Sequence, residues 1–138
     1  MSADGATHTG YEHEHDVVEV AVPLRPEFAM TVRTVAASLA ADAGFTIEEL
    51  DDLRLAISEV YSVIVNLGAD SSRARVGFAL TAGAITVSFT SDGLAGEVRF
   101  DELATNILRA VVDDYRIDRS GATLTKRSGV SAGTHSDG

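Results

Sequence analysis

The 138-residue chain has no cysteine and only two prolines, Pro23 and Pro26. Without cysteine there is no disulfide framework, no thiolate metal site and no thiol nucleophile, which removes zinc-finger, redox and cysteine-hydrolase chemistry. The lack also fits a cytoplasmic protein. No run of about 18 apolar residues occurs. The opening MSADGATHTGYEHEHD lacks the basic-then-apolar order of a secretory signal, so the chain is expected to be soluble and unexported. Basic residues are scarce: 11 Lys and Arg against 21 Asp and Glu leave a formal charge of −10 and a pI near 4.6. Nucleic-acid binding depends on Lys and Arg releasing counterions, so direct contact with nucleic acid is not expected. The same charge favours encounter with a basic protein, and it also serves solubility.

Hydrophobic residues make up 45% of the chain, enough to cover one sheet with one layer of helices. A single domain is expected over residues 16–127, with a disordered leader at 1–15 and a disordered tail at 128–138. Glu12, His13, Glu14 and His15 carry metal-binding chemistry, but a flexible leader offers no preorganised geometry, and no metal site is expected.

Val17, Val18, Val20 and Val22 begin a strand that Pro23 ends. Pro26 suits the first turn of a helix, where a missing N–H costs nothing. That helix is expected to run to about Ala43, with Phe28, Val32, Val35 and Leu39 as its apolar stripe and Gly44 as its C-terminal cap. Thr46 and Glu49 form a T-x-x-E capping box that opens a second helix, running to about Leu67. Its core stripe is Leu50, Leu53, Ile57, Val60, Ile64 and Leu67, and Ala56, Glu59, Val63 and Asn66 line the margin. Arg75 to Thr81 and Ile85 to Ser91 alternate as a hairpin around Ala-Gly-Ala. Val76, Phe78 and Leu80 share one face of the first strand; Ile85, Val87 and Phe89 share one face of the second. Leu103 to Val112 reads as a helix, and Tyr115 to Arg119 and Gly121 to Lys126 as strands. The order β-α-α-β-β-α-β-β predicts an α+β, two-layer sandwich, a mainly antiparallel sheet covered on one face by helices.

From Phe28 to Lys126 the chain resembles the RsbW/SpoIIAB anti-sigma-factor group of the histidine-kinase-like ATPase superfamily. Leu50-Asp51-Asp52-Leu53-Arg54-Leu55-Ala56-Ile57-Ser58-Glu59-Val60 is similar to that group's "DLRLAVSEA" pattern. Ile107 to Asp114 looks like its last helix, and Gly121 to Arg127 like its closing "GTxVxLxKR" strand. The resemblance implies the Bergerat-type fold and a homodimer, which exposed sheet edges could also support. It further implies a protein that binds a sigma factor, answers to an anti-anti-sigma antagonist and in many members uses Mg-ATP to phosphorylate a serine of that antagonist.

On the same resemblance Glu59 holds the place of the catalytic base, although it also reads as a plain helix-margin carboxylate. The Mg²⁺-ligating asparagine is replaced by Val63, which has no lone pair, and Asn66 reads as a surface residue near the helix end. The adenine-reading D-x-G-x-G motif falls on Ser91-Asp92-Gly93-Leu94-Ala95, so Ser91 stands at the aspartate. Asp92 would lie on the opposite side of the strand, and Gly93 and Gly96 also read as turn residues. The glycines that approach the phosphates align with Glu102 and Ala104; a carboxylate there repels phosphate while favouring a bare helix N-terminus. Leu94 to Asp101 is short for an ATP lid. Arg33 matches an arginine used to engage sigma and antagonist, or else is a solvated residue paired with an acid such as Glu27. The function expected first is therefore an anti-sigma factor acting by partner switching without ATP, a pseudokinase with no cofactor. The alternatives are an active RsbW-type serine kinase using Mg-ATP and a non-catalytic adaptor whose partner lies outside transcription.

Overall fold

The computed structural model describes residues 16–69, 72–118 and 120–129. The leader with its histidines, and the tail beyond residue 129, lie outside the described residues. Strand β1 (Val17–Pro23) leads through a single 3-10 turn (Pro26–Phe28) into α1 (Ala29–Asp42) and α2 (Ile47–Leu67). The hairpin β2 (Arg73–Thr81) and β3 (Ala84–Ser91) follows, then α3 (Glu102–Val111), β4 (Asp114–Asp118) and β5 (Gly121–Arg127). The sheet order is β1-β2-β3-β5-β4, and every neighbouring pair is antiparallel. The architecture is the expected α+β two-layer sandwich, with three helices among the described residues on one face.

Strand alternation sorts the two faces. Val76, Phe78, Val87, Phe89 and Leu124 project toward the helices and are at most 1% exposed. On the other face one register row reads Glu19, Gly77, Ser88, Thr123 and Arg116 from edge to edge. Such small and polar side chains suit a sheet face with no helix over it.

The first helix departs from its expected stripe. Val32, Ala36 and Ala40 are fully buried, whereas Phe28, Val35 and Leu39 are only half-buried. Alanines on the inner line let α1 approach α2 closely, and the larger residues flank that contact. Pro26 opens the 3-10 turn, and the α-helix starts at Ala29. Beyond its C-terminus Gly44 takes φ +93°, a left-handed conformation that glycine adopts without a Cβ penalty.

The second helix follows its sequence pattern. Thr46 Oγ1 accepts from the Glu49 N–H at 3.1 Å, and Glu49 Oε1 accepts from the Thr46 N–H at 2.8 Å, closing the capping box. Burial alone would push the Glu49 carboxyl up, but N–H bonds from Thr46 and Gly129, the Thr46 hydroxyl and the Lys126 charge hold it below its ordinary range. Leu53, Ile57, Val60 and Ile64 are at most 1% exposed.

Lys126 closes the opposite side of the helical layer. It lies in the inward row of β5, paired with Ile85 of β3, and its side chain is only 12% exposed. The ammonium donates to the Val111 carbonyl at 2.8 Å and to Asp52 at 3.4 Å. It therefore satisfies an orphan carbonyl at the negative end of α3 and ties that helix to α2. Lys126→Met keeps the apolar stem and leaves the carbonyl unpaired, so urea denaturation is expected to show a loss of about 1–3 kcal/mol.

Candidate functional site

Glu59 and Val63 lie one turn apart on α2, both half-buried. At 100° per residue they fall on the flank turned away from α1. Asn66 is exposed and lines a groove on the α1 side instead. The cleft expected to hold a nucleotide would be closed by the end of β3, the link to α3 and the α3 N-terminus.

The end of β3 continues the alternation of its strand. Ser91 faces inward like Ile85, Val87 and Phe89, and is 5% exposed. Its N–H donates to the Ser120 carbonyl at 3.0 Å, and its hydroxyl accepts from the Gly93 N–H at 3.4 Å. Asp92 is exposed and lines a depression with Arg73 and Arg75. Gly93 packs closely on Ser72, whose hydroxyl would have to turn away to admit a Cβ there.

The link from Leu94 to Asp101 is bound to the C-terminal end of α2. Leu94 and Gly68 form an isolated antiparallel bridge. The Ala95 N–H donates to Leu67 at 2.7 Å, and the Ala69 N–H donates to Gly93 at 3.1 Å. Farther along, Val98 is 2% exposed and belongs to the hydrophobic core. Phe100 then meets Tyr115 edge-on, with ring centroids 6.0 Å apart. A segment held by backbone bonds at one end and by a core valine at the other is a strap across the layer edge.

At the α3 N-terminus the sequence reading missed a residue. Asp101 is the N-cap: its Oδ1 accepts from the Ala104 N–H at 2.8 Å, and its carbonyl accepts from the Thr105 N–H at 2.9 Å. The amide that a phosphate oxygen would seek at Ala104 is thus held by a carboxylate of the chain itself. Ala104 is 6% exposed and Glu102 is exposed beside it. The signal was an aspartate immediately before a helical run, a favoured N-cap type. With the helix expected from Leu103, Asp101 falls one residue too early to be its cap; the helix starts at Glu102.

Arg33 is half-buried on α1, and its Nη1 donates to the Ser58 hydroxyl of α2 at 3.2 Å. That hydroxyl donates in turn to the Arg54 carbonyl at 3.0 Å. Glu27 pairs with Arg25 at 3.6 Å rather than with Arg33. The guanidinium accordingly stands at the wall of the α1–α2 groove, which measures about 180 Å³. Among the described residues no cluster of three or more His, Cys, Asp or Glu side chains could hold a metal ion. No described helix is long and apolar enough to cross a membrane.

No protein-family model matches the chain. It is 28% identical over 82 residues to the serine-protein kinase RsbW of Oceanobacillus iheyensis, a match covering 57% of this chain and 52% of that protein. The chain therefore spans about half the length of this curated relative. Among solved structures, the RsbU and RsbW domains of Rv1364c from Mycobacterium tuberculosis match with TM-score 0.63 and 24% identity, over 81% of this chain and 32% of that one. The structural likeness bears on the fold, and the curated relative supplies the sequence link. In sequence over 82 residues and in fold over most of its length, the chain is similar to RsbW-type proteins.

Proposed function

We propose that the chain is an anti-sigma factor that sequesters an alternative sigma factor, exchanges it for an anti-anti-sigma antagonist, and does so without ATP. The observation that carries the last clause is the Asp101 carboxylate on the Ala104 N–H, at the helix end where phosphates would be received. Phosphoryl transfer relies on metal ions and donors fixed around developing charge. Val63 offers no metal ligand, Ser91 spends its hydroxyl on a local turn, and the link that would serve as a lid is bonded to α2. The reading of an active serine kinase draws on Glu59 and on the name of the curated relative. A base has no task without a positioned phosphate. The adaptor reading shares every binding feature and differs only in the partner.

A homodimer is part of the same proposal. Val17 and Val18 on the β1 edge are 58% and 40% exposed, whereas the β4 edge alternates Asp114, Arg116 and Asp118. Charges protect an edge and exposed valines invite pairing, so β1 is the edge that would join two copies.

Purified chain mixed with each sigma factor of its source organism should give one stable complex by size-exclusion chromatography, weakened at least tenfold by Arg33→Glu. Absence of any complex would reject sequestration; an unaffected Arg33→Glu variant would reject only the contact. In excess Mg²⁺, isothermal titration with ATP or ADP is expected to show nothing tighter than about millimolar. Micromolar binding, or antagonist phosphorylation lost in Glu59→Ala, would restore the kinase. Light scattering should give about twice 14.5 kDa, falling to the monomer mass when Val17 and Val18 are both replaced by lysine. A wild-type monomer at micromolar concentration would refute the dimer.

A further inference from the structure

Three depressions share walls and run in series around one end of the molecule. The α1–α2 groove beside Arg33 shares Pro26 and Val65 with a second depression of about 610 Å³ that holds Arg25 and Arg73. That one shares Ser72 and Arg73 with a third, about 400 Å³, which holds Arg75 and Thr90 on the uncovered face of the sheet. Four of the chain's 11 basic residues thus lie along one path in a protein of net charge −10.

The fold keeps these guanidiniums presented. Tyr61, 1% exposed, donates its hydroxyl to the Arg25 carbonyl at 2.9 Å and to the Pro23 carbonyl at 3.3 Å, fixing the connector that carries Arg25. Burial raises the Tyr61 pKa and the Glu27 charge adds to that rise, so the hydroxyl stays a donor. Arg25 also lies over the Phe28 ring at 5.3 Å, which restricts its swing. Arg73 and Arg75 are two apart on β2 and project to the same face. Beside Arg75 stand Ala21 of β1 and Thr90 of β3, both too short to cover it. Among the described residues no carboxylate lies within 4.0 Å of Arg33, Arg73 or Arg75. The acids beside the path are Glu27, paired with Arg25, Asp92 at the rim of the third depression, and Glu19, which lines an adjoining depression with Arg75.

We infer that this arginine-lined path docks an extended, acidic segment of a protein partner. Guanidinium forks match carboxylates in pairs, and the walls between them, Pro23, Leu24, Pro26 and Val65, offer apolar surface to the intervening side chains. A long polyanion such as nucleic acid, or an anionic membrane, would meet the whole −10 charge as well as the path. A short segment within about one Debye length, roughly 8 Å, feels mainly the local arginines. The inference rests on the partner-binding reading and extends it from Arg33 to the sheet face.

The probe is a fluorescent peptide of roughly ten residues, made of glutamate, serine and leucine and long enough to run along a groove in extended form. It is titrated into ¹⁵N-labelled full chain, with the lysine-for-glutamate peptide and a single-stranded DNA oligonucleotide as comparators. Shifts are expected at the amides of Arg25, Arg33, Arg73, Arg75 and Gly93. Raised salt and the double variant Arg73→Glu/Arg75→Glu should each weaken binding about tenfold or more. If the double variant unfolds by circular dichroism, Arg73→Gln/Arg75→Gln replaces it, with a smaller loss expected. Shifts elsewhere, undiminished binding by the folded variant, or equal binding of DNA would overturn the inference. A sigma complex broken by Arg33→Glu but indifferent to the Arg73 and Arg75 changes would sink the path and leave sequestration standing. The peptide seated on the path with no sigma factor bound would do the reverse.

Discussion

Burial of one line of α2 against the inner face of the sheet is the constraint to which the other contacts are tied. Leu53, Ala56, Ile57, Val60 and Ile64 are at most 1% exposed, and together they remove enough apolar surface to fix both rotation and depth of a 21-residue helix. Once that rotation is set, the remaining positions of α2 have no choice of neighbour. Tyr61 meets the β1–α1 connector, Ser58 meets Arg33, and the Leu67 carbonyl meets the link after β3. Asp52 comes within reach of Lys126, and through it α3 is joined to the same layer. The α1–α2 groove and the strapped cleft are thus two flanks of one buried helix.

On the cleft side the chain's own side chains answer the end of a helix. A helix N-terminus concentrates unpaired N–H groups and partial positive charge, and something must answer both. In this chain Asp101 does so at 2.8 Å with its own carboxylate. The link is likewise ordered by bonds to Leu67 and Ala69 and by the burial of Val98. Each such internal bond occupies a donor or a position that a nucleotide would otherwise need.

Sequence periodicity carried most of the architecture. The α2 stripe and capping box, the hairpin faces and the closing strand read correctly because each follows a strict period of 3.6 or 2 with apolar residues at the buried positions. The α1 stripe was misread for a physical reason. Hydrophobicity ranks Val35 and Leu39 above alanine, but a close helix crossing selects for small volume, so Ala36 and Ala40 hold the contact. Ser91 as an inward residue and Asp92 as an outward one were legible from strand alternation alone. Asp101 was legible by type but not by place, because a helix expected from Leu103 puts it one residue too early to be the cap, whereas the helix starts at Glu102. The arginine path was beyond any linear reading. Residues 25, 33, 73 and 75 become neighbours only after the β1–α1 connector is pinned to α2 and β2 is laid between β1 and β3.

These features constrain how a partner could be released. A ligand shifts a conformational equilibrium only by the difference in its affinity for the two states. On the proposed reading, a strap already ordered by the chain's own hydrogen bonds gains little further order from a nucleotide, so nucleotide state would have small leverage on the α1–α2 surface. Competition for that surface would have full leverage on the same reading, because two proteins that both needed the Arg33 groove would exclude each other sterically and electrostatically at once. The overall negative charge repels acidic partners at long range, and the local arginines attract carboxylates at short range. The opposition slows non-productive encounters and rewards the orientation that brings an acidic segment to the guanidiniums. On the proposed reading, control therefore lies in the relative amount and charge of the competing partners. A phosphate added to a partner's docking segment would act directly on that competition through the same arginines.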